Sequence, residues 1–408
     1  MLTGANRIVL YSHDTMGLGH TRRNLLLARA LSNSRVPPST LMIFGAADAQ
    51  AWRMPYGTEC LTLPAVMKND RGRYVGRNLD LPVESIIAVR RQVIAASIAA
   101  FDPDLVIVDK VPSGMGGELL PAIRQLRRRG KAKLVLGLRD VLDEPSAVRS
   151  EWIREGNFEL VSDSYDAVWV YGDRAICDPV VEYGFGPAIA AKLHHTGYLD
   201  PRVRLDGVDL PASPLADLPG NIALCLVGGG QDGAPLARSF ADAAYPRNTT
   251  GVIVTGPHMP EADYQALVTR AAARVDLRVL RFEPNTDALL ARASHVISMG
   301  GYNTVMEILA HEKRALIIPR TTPRTEQLIR AERLQALGMI DVLDPGELAP
   351  ARLAQWLQSP AVPRVRARSQ LDFSGLGRVN LLARSLMTAP KVRRIRPEPA
   401  ARLAALVG

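Results

Sequence analysis

Short, uninterrupted aliphatic runs alternate with helix-length segments through this chain, and the alternation occurs twice. In the first half the runs are "RIVLYS", "STLMIFG", "PDLVIVD", "KLVLGLRD" and "DAVWVYG"; in the second they are "NIALCLVGGG", "GVIVTGP", "LRVLRF", "HVISMGG" and "RALIIPR". A strand apolar at consecutive positions is buried on both faces, which requires a parallel sheet covered by helices on each side. Between the two series lies "RLDGVDLPASPLADLPG", rich in Pro and Asp, which reads as a linker. The pattern predicts an α/β protein with two doubly wound Rossmann-like domains facing a cleft. The expected boundaries are 1–215 and 216–372, with a C-terminal helix and tail over 373–408. A length of 408 residues fits two cores better than one.

Composition narrows the class. An apolar fraction of 47% with 22% charged residues marks a globular protein. Cys60, Cys177 and Cys225 are far apart and lack metal-ligand spacing, which suggests reduced thiols in a cytoplasm. The first apolar run is too short for a signal peptide, and no window reaches the roughly 18–20 apolar residues of a membrane span. A net charge of +9 admits an anionic partner. The basic stretches "RQLRRRGKAK" and "KVRRIRP" carry no interleaved aromatics, so they read as solvated faces rather than as nucleic-acid platforms. Membrane contact is expected to be peripheral at most.

Ligands of open parallel sheets bind beyond the carboxyl ends of strands, and three loops there are rich in glycine. They are "SHDTMGLGHTRRN", with Gly17 and Gly19; "LVGGGQDGAPLARSF", with Gly228, Gly229 and Gly230; and "SMGGYNTVMEIL", with Gly300 and Gly301. Glycine lets backbone amides approach a ligand, and the helix that follows presents a partial positive charge. One such loop is also an ordinary strand-to-helix turn. Three at equivalent positions favour a phosphate-bearing ligand in the cleft. None matches the dinucleotide fingerprint or the P-loop.

In the third loop the polar triplet Tyr302, Asn303 and Thr304 precedes Glu307. Thr304 and Glu307 have the spacing of a capping box, which would explain both without a ligand. Further on, Arg320, Arg324, Glu326 and Gln327 gather after a strand and ahead of a helix. They could address sugar hydroxyls and phosphate, or cap the helix and face solvent.

"LVGGGQDGAPL", "LRVLRFEPNTDALLARASHVISMGGYNTVMEIL" and "IIPRTTPRTEQLIRAERLQALG" resemble the donor domain of family 28 glycosyltransferases, the family of the peptidoglycan lipid II N-acetylglucosaminyltransferase. "YSHDTMGLGHTRRNLLLARAL", "FDPDLVIVDK" and "LVLGLRDVLDEP" look like a bacterial group of predicted glycosyltransferases. The resemblance implies a GT-B architecture, with a nucleotide-sugar on the C-terminal domain and the acceptor mostly on the N-terminal one. It implies that the Gly228–Gly230 loop with Gln231 approaches the diphosphate and base, and that the Phe282 backbone holds the base. Ser298, Gly300, Gly301 and Thr304 would meet phosphates, Glu307 the ribose hydroxyls, and Glu326 with Gln327 ribose and sugar. His20 falls where the family's N-terminal loop has a histidine facing the reaction centre. Asp14 in that loop is a departure, and so are Arg22 and Arg23, where the family commonly has a proline-containing turn. The two arginines suggest an anionic acceptor.

The implied chemistry is inverting, metal-independent transfer from a nucleoside-diphosphate sugar, UDP-GlcNAc-like, to a hydroxyl acceptor. No cofactor is expected. His20 is the first candidate for the base, with Asp140 and Asp14 in reserve. His20 could instead bind phosphate or cap its helix. Hydrolysis or epimerisation of a nucleotide-sugar, or binding without catalysis, are the competing readings. "DPD" at Asp102–Asp104 precedes a strand, so it reads as a turn rather than a metal motif.

Overall fold

The computed structural model describes residues 6–13, 19–34, 36–45, 54–68, 74–205, 215, 218–283, 286–360 and 364–389. Asp14 and Gly17 lie outside these residues, as do most of the expected linker and the basic stretch Lys391–Pro397.

The N-terminal strands are β1 (Arg7–Tyr11), β2 (Ser39–Phe44), β3 (Thr58–Thr62), β4 (Val66–Lys68), β5 (Tyr74–Gly76), β6 (Leu105–Asp109), β7 (Lys133–Arg139), β8 (Ala167–Tyr171) and β9 (Leu193–His195). Seven of them form a parallel sheet in the order β3-β2-β1-β6-β7-β8-β9, while β4 and β5 pair as a separate antiparallel ribbon. The C-terminal strands are β10 (Asn221–Leu226), β11 (Thr249–Val254), β12 (Leu277–Leu280), β13 (Ala293–Ser298), β14 (Ala315–Ile317) and β15 (Asp341–Val342). They form a second parallel sheet, β12-β11-β10-β13-β14-β15. Both are doubly wound, and each reverses direction once: between β1 and β6, and between β10 and β13. Those reversals are where an open α/β sheet leaves a crevice at its carboxyl edge.

The aliphatic runs explain the sheets. β6 and β8 are buried at every residue, and burying a Val, Leu or Ile side chain is worth about 1.5–3 kcal/mol. Asp102–Asp104 makes the expected turn before β6. Asp102 takes a left-handed φ of 47° and pairs with Arg7 and Lys131 at 2.9 and 2.7 Å.

The chain then crosses back. The helix Gly375–Thr388 packs on the N-terminal domain: Asn380 donates to the Ala30 carbonyl at 2.6 Å, and Ser374 bridges to Leu199. The two domains are also joined directly. The Tyr302 hydroxyl donates to the Tyr171 carbonyl at 2.6 Å, and Arg333 pairs with Glu182 at 2.8 Å. Among the described residues no helix is long and apolar enough to cross a membrane.

Candidate active site

The two sheet reversals face one another across a cleft of about 250 Å³. From the N-terminal side Gly19, His20, Arg22 and Arg23 line it, all at the start of the helix Gly19–Ser32. From the C-terminal side come Gly228, Gly229 and Phe282, then Gly301, Tyr302, Asn303, Thr304 and Glu307, and finally Arg320, Glu326 and Gln327. These were expected from the sequence, and the fold brings them to one place. Another cavity, of about 280 Å³, lies under the C-terminal helix at the amino-terminal end of β1, with Arg384 its one ionisable side chain. Parallel sheets do not place ligands at that edge.

His20 is held by a residue that the sequence reading did not single out. Its Nδ1 lies 2.6 Å from Oδ2 of Asp109, the last residue of β6. A carboxylate at that distance requires a proton on Nδ1, so the lone pair of the neutral ring sits on Nε2. Asp109 also takes Arg23: Nε at 3.1 Å, and Nη2 at 2.7 and 2.6 Å. Burial alone would raise the Asp109 carboxyl, but Arg23, and after it His20, hold it well below the ordinary carboxylate range. His13, at the end of β1, stacks obliquely on His20 with ring centroids 5.0 Å apart. Burial, then the charges of His20 and Lys110, keep His13 neutral.

Arg23 therefore differs from the expectation. It is 2% exposed, so it does not reach outward to an acceptor, and its charge is neutralised by Asp109. Arg22 stands 3.7 Å from the Glu307 carboxylate, across the cleft. The two arginines thus serve carboxylates of the protein itself.

On the C-terminal side two glycine loops interlock. Gly230 has φ +91°, and a Cβ there would lie 2.1 Å from the Thr255 carbonyl oxygen; at Gly256, φ +78°, it would lie 2.3 Å from that of Gly228. Only glycine permits this approach, which leaves Gly228 and Gly229 at the cleft wall. The helix Tyr302–Ala310 starts two residues before Thr304, with Gly301 as N-cap and no side-chain cap bond. The expected capping box is therefore absent: Thr304 lies inside the first turn, and its partner in that motif, Glu307, is 2% exposed and lines the cleft. Asn303 Nδ2 donates to the Gly19 carbonyl at 2.9 Å, tying this turn to the N-terminal domain. Tyr302 is packed between Arg23 and Arg330, each guanidinium 5.5 Å from its ring centre.

Arg320 gathers the last group. Its amide donates to Gln327 Oε1 at 3.0 Å, and its guanidinium reaches Glu326 and Asp232, each at 3.3 Å. Burial would raise Glu326, yet Arg139 and then Arg320 hold it down. Its Oε2 is buried without a hydrogen bond.

Several expected residues stand elsewhere. Asp140 is fully buried in a pair with Arg330, so it has no path to a reacting hydroxyl. Arg324 turns away to Asp143 and Glu151, at 3.2 and 2.9 Å. Ser298 is buried, with Oγ accepting from the Gly300 amide at 3.3 Å, while Gly300 takes φ +85° against Ile317. Gln231 faces solvent. Besides Asp109, the sequence reading missed Arg139, Glu283 and Thr286, all of which line the cleft.

Over residues 224–367 the chain matches the family model described as Glycosyltransferase family 28 C-terminal domain. No curated protein sequence matches it significantly. Among solved structures it is similar to the UDP-GlcNAc 2-epimerase from Neisseria meningitidis bound to UDP-GlcNAc, at 12% identity and a TM-score of 0.59, over 94% of this chain and 99% of that one. It is similar also to the spinosyn forosaminyltransferase, at 16% identity and a TM-score of 0.57, over 95% and 96%. The calicheamicin glycosyltransferase CalG4 aligns at 17% identity and a TM-score of 0.53, over 94% and 95%. At such identities the likeness concerns the fold. The chain has the two-domain, Rossmann-like GT-B fold, and its C-terminal domain matches the Glycosyltransferase family 28 C-terminal domain over residues 224–367.

Proposed function

We propose that this protein is an inverting, metal-independent glycosyltransferase that moves a sugar from a nucleoside-diphosphate sugar, UDP-GlcNAc-like, to a hydroxyl of an acceptor. The observation that carries the proposal is the pairing of His20 with Asp109 on one wall of a cleft whose other wall holds glycine-loop amides and the buried Glu307. The acceptor oxygen attacks the anomeric carbon and forms the new C–O bond as the bond to the leaving diphosphate breaks. The bonding pair goes to the diphosphate oxygen, and the acceptor proton goes to Nε2 of His20. Asp109 orients the ring and stabilises the imidazolium that forms. Main-chain nitrogens at Gly228–Gly229 and at the start of the helix Tyr302–Ala310 offset the charge that builds on the leaving group. Glu307 takes the ribose hydroxyls, and Glu326 with Gln327 the sugar. Because the metal-free path is part of the proposal, activity should survive a chelator.

The epimerase of similar fold, with UDP-GlcNAc bound, supports a second reading: epimerisation or hydrolysis of the same kind of donor. One experiment separates them. The protein is incubated with UDP-, GDP- and dTDP-sugars, with and without hydroxyl acceptors, and free nucleoside diphosphate and sugar products are measured. Release that needs an acceptor supports transfer. Release in water alone means hydrolysis, a converted donor sugar means epimerisation, and binding without turnover refutes all three.

A further inference from the structure

Two asparagine carboxamides hold the helix Gly19–Ser32, one near each end. Towards its carboxyl end Asn380 donates to the Ala30 carbonyl at 2.6 Å, and at its start Asn303 donates to the Gly19 carbonyl at 2.9 Å. The contacts are roughly 16 Å apart along the axis, and only the second lies on the cleft.

The bond at the start has a fixed direction. A carbonyl only accepts, so the carboxamide atom that faces Gly19 is the nitrogen. The approach is close: a Cβ on Gly19 would lie 3.3 Å from that nitrogen. Asn303 is half-buried and belongs to the first turn of the helix Tyr302–Ala310. The residue before it, Tyr302, sets its ring 5.5 Å from the Arg23 guanidinium. This turn therefore touches the helix Gly19–Ser32 on either side of His20 in sequence, at Gly19 and at Arg23. Arg23 and His20 share the Asp109 carboxylate.

The main chain of the same turn has a separate task. The first amide of this helix with a backbone partner is that of Val305, which donates to the Gly301 carbonyl at 3.0 Å. Among the described residues the amides of Tyr302, Asn303 and Thr304 have none, as at any helix start. The leaving diphosphate is assigned to them. Tyr302 and Asn303 thus carry the leaving group's site on their main chain and hold the base's helix with their side chains. The hydroxyl must lie between the base and the anomeric carbon, and a misplacement of about 1 Å can cost a hundredfold in rate.

We propose that Asn303 is a positioning residue: its carboxamide sets the distance from the start of the helix Tyr302–Ala310 to His20, so that a donor held on one meets the base on the other. This rests on the transferase reading. It turns the Asn303 side chain towards the protein rather than towards the donor.

The test observes His20 by NMR in the full chain carrying isotope-labelled histidine, with its ring signal assigned by its loss in His20→Gln. UDP is the probe. UDP should shift that signal in the wild type. In Asn303→Ala the shift should fall to less than about half, while UDP affinity, read by calorimetry, stays within about twofold. Asn380→Ala removes an equivalent bond to the same helix and should keep the whole shift. Gly19→Ala crowds the carboxamide, so it should reduce the shift in the wild type and change nothing further in Asn303→Ala. With a donor and acceptor that react, Asn303→Ala should lower turnover roughly ten- to a hundredfold and leave the donor KM within about twofold. A wild-type signal that ignores bound UDP, a full shift in Asn303→Ala, or an equal loss in Asn380→Ala each overturns the proposal. So does a loss of UDP affinity as large as the loss of turnover, which would return Asn303 to the donor. If UDP does not bind, the transferase reading fails, and the ligand-free spectra still decide the positioning role: Asn303→Ala should move the His20 signal and Asn380→Ala should not. Should the alanine variant not fold, Asn303→Asp, of the same shape but with no hydrogen to donate, gives the same comparison.

Discussion

Arg330 of the C-terminal domain grips Asp140 of the N-terminal domain through Nε at 3.0 Å and Nη2 at 2.8 Å, and neither side chain has any exposure. The Tyr198 hydroxyl donates to the same carboxylate at 3.1 Å. Replacing Arg330 by Met should therefore cost about 3–5 kcal/mol, because it strands a buried carboxylate. Urea unfolding measures the loss. The double variant Arg330→Met with Asp140→Leu should recover much of it, since the charge that needs a partner is gone.

Removing the ring of His20 tests the base directly. His20→Ala should lower turnover by roughly a hundred- to ten-thousandfold while donor affinity, read by calorimetry, stays within about twofold of the wild type. Equal losses in both would make His20 a binding residue. Asp109→Asn should cost stability as well as turnover, because Arg23 would lose its counter-charge in a site where it is 2% exposed.

Glu307→Ala removes a carboxylate that is 2% exposed and faces Arg22 across the cleft. Hydrogen bonds to a charged group are worth about 1.5–3 kcal/mol, so UDP should bind roughly ten- to a hundredfold more weakly. The thermal transition should move little. An unchanged affinity removes Glu307 from the ribose site.

Stability should depend on pH through Lys110. Burial, and after it the charge of Arg139, lowers its ammonium from 10.5 to about 7. The other charged groups that act on it are Arg324, Glu326 and Glu151. Charged Lys110 therefore disfavours the fold below pH 7, and that penalty is relieved as pH rises towards 10.5. In thermal unfolding the wild type should gain on Lys110→Met as pH rises through that range; a constant difference would refute the shift.

Much of the framework is written in local patterns. Each of the ten aliphatic runs forms a strand at the expected place, because burial on both faces leaves a continuous apolar signature. The strands that were not foreseen, β3, β4, β5, β9 and β15, are short or lie at sheet edges and in the ribbon, where one face is wet and the sequence is mixed, as in "TECLT" or "LHH". The glycine loops were legible for a similar reason, since a left-handed backbone leaves its mark in residue type. Pairings across the chain leave none. Asp109 lies 89 positions from His20, and alone it reads as the end of a buried strand. Arg23 reads as one of two arginines facing an anionic acceptor until β6 is laid beside it and Asp109 takes its guanidinium. Arg139 is hidden in the same way, at the last position of an apolar strand.

The return of the helix Gly375–Thr388 to the first domain means that the polypeptide bridges the two lobes twice, once after Leu205 and again ahead of Ser374. With one crossing, only side-chain contacts would set the angle between the lobes. The second crossing acts together with the buried Arg330–Asp140 pair and the Asn303–Gly19 bond, so the backbone itself helps to fix the His20 wall opposite the Glu307 wall.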